Sequence, residues 1–253
     1  MRHCPPRWRE GIYYRMFQSR AGQFSRLFRE APLKYARDTS MLNLVPGDII
    51  SGCIAFTGLY EWHLTQKIVE LVHGGATRFI DVGANMGYFS VLWASLNPSA
   101  KVTSFEPVTR NVELLTGNRD GNQLGERIEI IGKAVSDFTG HLKFDSGPSE
   151  QTGWGGISSS GSLSVPCLRL DEIIGDETVD LMKVDVEGAE ALVFKGADRL
   201  LRNGIIRRIV FEYNSERAAD HKEGNALSIV ESFGYKCHRL GSSDGMWLAD
   251  RTE

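Results

Sequence analysis

The chain has 253 residues, of which 42 % are hydrophobic and 24 % charged, and its formal net charge is −3. This is the composition of an ordinary globular protein, and the length suits one domain with or without an appended segment. No run approaches the roughly 18 to 20 consecutive apolar residues of a membrane span, and the first residues lead into no signal peptide, so a cytoplasmic location is expected.

The N-terminal segment, residues 1–45, is a basic arm. Its first 38 residues contain nine basic and three acidic side chains, so this part carries +6 and the rest of the chain −9. Aromatic residues recur in it near helical spacing, at Tyr13, Phe17, Phe24 and Phe28, which predicts an amphipathic helix. We expect this helix to pack on the domain that follows, residues 46–253. Contact with a membrane surface or with a second subunit is the alternative.

From residue 78 onward, short apolar strands alternate with helical segments. Strands are predicted at 78–84, 101–107, 127–135, 179–186 and 206–213, and helices at 88–94, 111–115, 190–197 and 226–233. Segments 235–240 and 246–249 are expected to close the sheet as an antiparallel hairpin. This alternation predicts an α/β fold with a doubly wound, mostly parallel sheet. Ligands of such sheets lie beyond the carboxyl ends of the strands.

One segment interrupts the alternation. Residues 145–166 contain five glycines and seven serines around Trp154. The segment is either a flexible hairpin tip or a mobile loop over the bound substrate.

The segment from Asp81 to Tyr88 joins the first predicted strand to the first predicted helix. Its glycines, Gly83 and Gly87, allow the backbone to approach a ligand closely, and the helix N-terminus offers free N–H groups to an anionic part of it. The spacing differs from the G-x-G-x-x-G of nicotinamide dinucleotide sites. Asp81 stands two positions before the first glycine, which indicates a ligand with an ammonium group for Asp81 to hold. Tight packing alone is the other explanation for such a turn.

Two further strand ends carry acidic residues. Glu106 ends the second strand, at the position where these folds hold ribose hydroxyls. Two acids and a glycine turn at successive strand ends describe a nucleoside with an amino-acid tail, and S-adenosylmethionine fits that description. At the end of the third strand, Asp137 is either a contact for the adenine edge or a turn residue.

The fourth strand end, Lys183–Glu190, is the most distinctive stretch. Strand alternation places Lys183 and Asp185 on one face of an otherwise apolar strand, where they are costly unless paired or used. One interpretation is an ion pair between them, with Glu187 and Glu190 complementing the dipole of the following helix. The functional interpretation places Asp185 and Glu187 against the transferred methyl group and its acceptor.

Four motifs taken together closely resemble the FkbM family of S-adenosylmethionine-dependent methyltransferases. They are Phe79–Tyr88, Phe105–Pro107, Ala134–Asp137 and Lys183–Glu190, within a resemblance that runs from about residue 46 to residue 235. The resemblance implies a class I, Rossmann-like methyltransferase fold, with cofactor contacts at Asp81, Gly83, Asn85, Gly87 and Glu106. Asn85 replaces the middle glycine of the general methyltransferase turn, as is normal in this family. Members methylate hydroxyls of polyketides, sugars and glycolipids, and some methylate peptide amide nitrogens.

The resemblance and the acidic strand ends predict an enzyme that O-methylates a small-molecule or glycan acceptor. A hydroxyl reacts faster with a base within hydrogen-bond reach, so Asp185 or Glu187 is expected to be the base or the acceptor anchor, with His63 as an outside candidate. Trp154 either stacks on a sugar face or anchors its own loop. N-methylation of a peptide amide and a non-catalytic, cofactor-binding partner protein are the alternatives.

Metal and nucleic acid are less expected. In a metal-assisted variant, Asp185, Glu212 and Asn214 would converge as hard oxygen ligands for Mg²⁺. Enzymes that methylate amino groups of nucleic-acid bases carry an Asn/Asp-Pro-Pro-Tyr-like stretch after the fourth strand, whereas this chain has Asp185-Val186-Glu187-Gly188. No nucleic-acid partner is therefore expected.

Overall fold

The computed structural model describes residues 4–16, 28–158, 160–213, 224–241 and 245–252. Phe17, Phe24 and Asn214, three of the residues named above, lie outside these ranges. Within them, every helix is too short or too polar to cross a membrane.

The described helices and strands follow the predicted alternation. The helices are α1 (Pro6–Met16), α2 (Ile49–Thr57), α3 (Trp62–His73), α4 (Tyr88–Leu96), α5 (Thr109–Gly121), α6 (Leu170–Ile173), α7 (Glu190–Gly196), α8 (Asp198–Arg202) and α9 (Ala226–Ser232). The strands are β1 (Ala31–Pro32), β2 (Ser40–Met41), β3 (Arg78–Val82), β4 (Lys101–Phe105), β5 (Ile128–Ile131), β6 (Ala134–Val135), β7 (Gly140–Asp145), β8 (Gly156–Ile157), β9 (Leu163–Leu168), β10 (Leu181–Val184), β11 (Arg208–Glu212), β12 (Tyr235–Arg239) and β13 (Met246–Arg251). One strand differs from the prediction: the expected strand 127–135 is broken at residues 132–133 into β5 and β6.

The main sheet has the strand order β12-β13-β11-β10-β3-β4-β5. Its strands from β5 to β11 are parallel, and β13 and β12 are antiparallel. The predicted α/β fold with a closing antiparallel hairpin is thus confirmed. After β3 the chain builds one side of the sheet, and it later returns to β10 to build the other. The carboxyl ends of β3 and β10 therefore meet at a topological switch point, where open α/β sheets bind their ligands.

Two hydrophobic cores lie on the two faces of this sheet, because helices cover both. Phe79 and Leu181 pack in one core, and Ile80 packs in the other. Strand alternation puts Asp81 and Lys183 on the face of Phe79 and Leu181, and the register pairs Asp81 with Lys183 across β3 and β10. Both side chains are almost fully buried. A carboxylate and an ammonium thus lie side by side in the apolar centre of the sheet, near its carboxyl edge.

The segment between β5 and β10 forms a second, smaller sheet. Its strand order is β6-β9-β7-β8, and β7 and β9 pair as antiparallel strands. The Gly/Ser-rich segment is the connection between them, with β8 in its middle. A Cβ atom added to Gly153 would lie 3.5 Å from Nδ2 of Asn85, and one added to Gly156 would lie 3.6 Å from Cβ of Glu187. The connection therefore reaches the strand ends of the main sheet.

The described part of the arm packs on the rest of the molecule. Tyr13 on α1 is fully buried and donates a hydrogen bond to the carbonyl of Ile49 (3.4 Å). Arg9 is 4 % exposed and donates to the carbonyl of Thr57 (3.0 Å). Further along the arm, Met41 belongs to the hydrophobic core that contains Phe79 and Leu181. The division of the chain at residue 45, and a contact of the arm with a membrane or a second subunit, stay predictions.

We predict that Gly83→Ala is far more destabilising than Gly75→Ala. Both glycines have positive φ, +75° and +94°, so alanine is strained at both. At Gly75 nothing lies within 4 Å of the added Cβ, whereas at Gly83 it would lie 1.9 Å from the backbone oxygen of Asp185. Overpacking adds about 1–3 kcal/mol to the strain. Urea denaturation of the two variants measures the difference, and equal losses would show that the close approach of the two strand ends is not required.

Candidate active site

A cleft opens where β3 and β10 end. Its volume is about 1050 Å³ when the part open to solvent is included. Its lining comes from the turn after β3, the residues after β4 and β10, the end of β11, the connection between α2 and α3, and the Gly/Ser-rich segment. Among the predicted site residues it includes Gly83, Asn85, Glu106, Asp185 and Glu187. Three others, Asp81, Gly87 and Asp137, are not part of the lining.

Lys183 holds the floor of the cleft together. Its ammonium nitrogen lies 3.3 Å from Oδ2 of Asp185 and 3.5 Å from Oδ1 of Asp81, and it donates a hydrogen bond to the carbonyl of Gly83 (3.1 Å). Burial by itself would lower the pKa of Lys183, but the carboxylates of Asp185, Asp81 and Glu61 outweigh it and raise that pKa. The raised pKa favours the charged form of Lys183, and the ion pair with Asp185 that the strand pattern suggested is present.

Asp81 lies beneath the cleft. Its side chain is fully buried, and Ser90 donates a hydrogen bond to its Oδ2 (2.6 Å). Burial raises the pKa of Asp81, and Lys183 and Ser90 oppose that rise. The ammonium that faces Asp81 in the structure is that of Lys183. In this arrangement Asp81 supports Lys183. A contact of Asp81 with a ligand's ammonium group stays a prediction.

Glu106 ties together the two turns beside the cleft. It is 5 % exposed and accepts hydrogen bonds from the backbone N–H of Asn85 (2.8 Å), that of Val108 (3.0 Å) and the side-chain amide of Asn111 (3.3 Å). Burial raises the pKa of Glu106, and these hydrogen bonds oppose the rise. A carboxylate has about four acceptor positions, so one is left for a ligand hydroxyl.

Gly87 and Asp137 contact parts of the protein outside the cleft. A Cβ atom on Gly87 would lie 2.0 Å from Leu115, so this glycine allows α4 to pack against α5. Asp137 accepts a hydrogen bond from Ser136, and Arg169 donates to its backbone carbonyl (2.7 Å). The chain leaves the main sheet after β5, so the residues that reach the cleft here are those at 133–135 rather than Asp137. A contact of Asp137 with adenine stays a prediction.

Backbone strain is concentrated at the cleft. Three lining residues other than glycine have positive φ: Glu61 (+46°), Asn85 (+52°) and Glu187 (+55°). Such conformations cost free energy and are common at functional sites. Glu61 is not among the residues predicted from the sequence, whereas the predicted outside candidate His63 lies in a separate surface groove with His238. No local pattern marks Glu61, because its position depends on contacts that are distant in sequence.

One wall of the cleft is acidic. Carboxylate oxygens of Asp185, Glu187 and Glu212 lie within 4.8 Å of one another. Burial, and then the nearby Asp185, raise the pKa of Glu61 to about 8, while Lys183 opposes the rise. The predicted metal-assisted variant is not tested by this grouping, and Asn214 lies outside the described residues. The wall offers hydrogen-bond acceptors and a negative field to whatever lies against it.

The cleft lies at the switch point of a parallel α/β sheet and combines a glycine turn, a buried carboxylate and an acidic wall, and open α/β sheets bind their ligands at this point. The sequence profile of the methyltransferase FkbM domain matches residues 81–237, and the chain belongs to this family. It is therefore a methyltransferase, as the resemblance implied.

Two characterised relatives and one solved structure illustrate the family. The chain is 29 % identical to the hexuronic acid methyltransferase AglP of Haloferax volcanii, over 49 % of its own length and 51 % of that protein. It is 27 % identical to the 2-O-methyltransferase NoeI of Sinorhizobium fredii, over 60 % of this chain and 69 % of the relative. The crystal structure of the methyltransferase FkbM from Methylobacillus flagellatus superposes with a TM-score of 0.52 at 15 % identity, covering 96 % of this chain and 60 % of that one. This structural likeness confirms the class I fold.

We predict that Lys183→Met is severely destabilising. It leaves Asp81 as an unpaired carboxylate in the sheet, and breaking a buried pair in this way costs about 3–5 kcal/mol. The matched control is Lys67→Met, which removes a surface pair with Glu70 that is worth less than about 1 kcal/mol. Addition of Asp81→Asn to Lys183→Met should recover part of the loss. Chemical denaturation tests this, and a Lys183 variant as mild as the control would contradict it.

We predict that Glu190→Gln changes the pH dependence of stability. Burial raises the pKa of Glu190 from 4.5 to about 7, in spite of the hydrogen bond that it accepts from the N–H of Gly188. Between these two pH values the unfolded chain ionises first, so the free energy of unfolding falls as the pH rises. Glutamine does not ionise, so the variant avoids this loss. From pH 4 to pH 8, its free energy of unfolding should rise relative to that of the wild type by up to about 3 kcal/mol. A difference that stays constant with pH would refute the assignment.

Proposed function

We propose that this enzyme transfers the methyl group of S-adenosylmethionine to a hydroxyl of a sugar, glycolipid or polyketide-type acceptor. The observation that carries the proposal is the acidic wall, where Asp185 and Glu187 lie beside the glycine turn at the switch point. Carboxylates accept hydrogen bonds from hydroxyl groups, and they favour a cationic sulfonium nearby. The names of the two relatives, a hexuronic acid methyltransferase and a 2-O-methyltransferase, point to the same chemistry.

The residues of the cleft fit S-adenosylmethionine. Oδ1 of Asn85 and Oδ1 of Asn111 are buried and have no hydrogen-bond partner within the described part of the chain, so each can accept a hydrogen bond from a bound ligand. Glu106 would hold a ribose hydroxyl with its remaining acceptor position. Gly83 and Asn85, whose left-handed conformations shape the turn, would face the amino-acid tail. The apolar side chains of Val135 and Ile157 offer a surface for the adenine.

The chain's own residues would then position and activate the acceptor. When bound, S-adenosylmethionine supplies an electrophilic methyl group for a single in-line displacement, which makes positioning the main task of the protein. Asp185 is fixed by its ion pair with Lys183, which suits it to anchor the acceptor hydroxyl. Glu187 follows on a strained turn and would accept the hydroxyl proton. The methyl group would pass to the acceptor oxygen as its bond to sulfur breaks, which leaves S-adenosylhomocysteine. Trp154 is 61 % exposed and lies between the cleft residues Gly153 and Gly155, and it would meet a sugar face at the entrance.

We expect Asp185→Asn and Glu187→Gln each to reduce kcat by about 100-fold or more at saturating cofactor, because one loses the anchor and the other the base. Wild type and variants would be incubated with S-adenosylmethionine and a panel of methyl glycosides, hexuronosides and hydroxylated macrolactones, and mass spectrometry would detect the added methyl group. Glu113→Gln, which removes an exposed carboxylate on α5, is the control. Calorimetry with S-adenosylhomocysteine checks that the cofactor site is intact.

The same experiment can refute the proposal. Near-normal turnover by both variants would remove Asp185 and Glu187 from catalysis. Methylation of an amide nitrogen in a peptide panel, with no hydroxyl methylated, would replace O-methylation by N-methylation. Loss of activity in EDTA that Mg²⁺ restores would make the acidic wall a metal site instead.

A further inference from the structure

Glu61 is a cleft residue with an unfavourable backbone conformation. It directly precedes α3, with φ +46° and ψ +76°, and its side chain does not cap the helix. This left-handed conformation costs a residue other than glycine about 1–3 kcal/mol, and it persists only where surrounding contacts determine it. The side chain, released from capping, forms part of the cleft lining.

Glu10 on α1 provides the contact that determines this conformation. Its Oε1 accepts a hydrogen bond from the backbone N–H of Glu61 (2.7 Å), and its Oε2 accepts one from the N–H of Trp62 (3.0 Å). The first N–H groups of a helix have no partner within the helix, and a carboxylate is favourable at that end of the helix dipole. A carboxylate from the N-terminal arm therefore caps α3 in place of the neighbouring side chain.

The packing of α1 on α2 fixes the position of Glu10. Arg9 and Tyr13, on either side of it in sequence, are both buried and both donate hydrogen bonds to α2, to the carbonyls of Thr57 and Ile49. Direct contacts thus connect α1 to the cleft: Glu10 on α1 binds the N–H groups at the start of α3, and Glu61 at that position lines the cleft.

One oxygen of the Glu61 carboxyl group, Oε2, is buried and accepts no hydrogen bond from any described residue. The charged groups that face it are Asp185 and Lys183 on the floor, Glu212 on β11 and Glu10 on α1. Of these only Lys183 is a cation, and it is already engaged by Asp185, Asp81 and Gly83. A buried, unpartnered oxygen costs about 1–3 kcal/mol, which a ligand hydroxyl would relieve.

We propose that Glu61 binds the acceptor, with its Oε2 taking a hydrogen bond from an acceptor hydroxyl, and that Glu10 is the positioning residue that holds it there. The inference rests on the proposed hydroxyl acceptor and extends it. A sugar carries several hydroxyl groups, so one can meet Asp185 and Glu187 for reaction while another meets Glu61. The N-terminal arm then acts on acceptor recognition through α1.

The test compares KM for the acceptor with the cofactor Kd in the full chain. The acceptor is the methyl glycoside that the wild type methylates fastest, and the cofactor Kd is measured with S-adenosylhomocysteine by calorimetry. We expect Glu61→Ala to raise the acceptor KM by about 2- to 10-fold, since an ordinary hydrogen bond is worth about 0.5–1.5 kcal/mol. Glu61→Gln keeps one acceptor oxygen and should lose less. The cofactor Kd should stay within about twofold of the wild type. Glu70→Gln, an exposed carboxylate on the same helix, should change neither quantity.

Glu10 variants test the positioning role. Glu10→Ala should raise the acceptor KM, as Glu61→Ala does. Glu10→Gln, which keeps one acceptor oxygen, should raise the acceptor KM less. The cofactor Kd should stay unchanged in both variants. A purely structural role would instead lower the melting temperature and weaken cofactor and acceptor together. An unchanged KM in Glu61→Ala, with the wild type active on the glycoside, would overturn this inference and leave the proposed function standing. Wild-type methylation of nitrogen alone would overturn both.

Discussion

The ammonium group of Lys183 joins the two strand ends on which the cleft is built. It contacts the carboxylate of Asp81 on β3, the carboxylate of Asp185 after β10, and the carbonyl of Gly83 in the glycine turn. Because two acids surround it, it stays charged in spite of burial. Burying ionisable groups costs free energy unless each has partners. Here the side chains of Lys183, Asp81 and Asp185 are partners of one another. Lys183 therefore links the glycine turn, Asp185 and Asp81 through one side chain.

This network explains why the motifs at the two strand ends have their particular residues. Gly83 comes so close to the backbone of Asp185 that no Cβ fits, and the same approach brings its carbonyl to Lys183. Asp81 pairs with Lys183 in the sheet register, and Ser90 and Ser104 complete the polar contacts beneath the cleft. Motifs that are about 100 residues apart in sequence are thus parts of one structure.

Much of the fold could be read from the sequence, because local signals carried it. Apolar strands end in glycine, proline or an acidic residue and are followed by a helical pattern. This alternation was enough to predict the parallel sheet and its switch point. The acids at strand ends were enough to place Glu106, Asp185 and Glu187 at one cleft. Two details depend on contacts that no local pattern shows. The third strand breaks at residues 132–133 and passes to a second sheet, so Asp137 is not part of the cleft lining, and its contact with adenine stays a prediction. The pattern shows that Asp81 is acidic, but not that Lys183 lies against it, and a contact of Asp81 with a ligand stays a prediction.

Glu61 illustrates the kind of residue that a local pattern cannot reveal. Alone, its segment indicates only the start of a helix, and a histidine two positions later attracts more attention. Its place in the cleft results from a backbone conformation that Glu10 stabilises from 51 residues away, on a helix whose own position depends on Arg9 and Tyr13. Within the described part of the arm, an acidic side chain, Glu10, bonds the start of α3, although the arm as a whole is basic. The proposed contact between Glu61 and the acceptor would thus depend on a segment outside the main sheet.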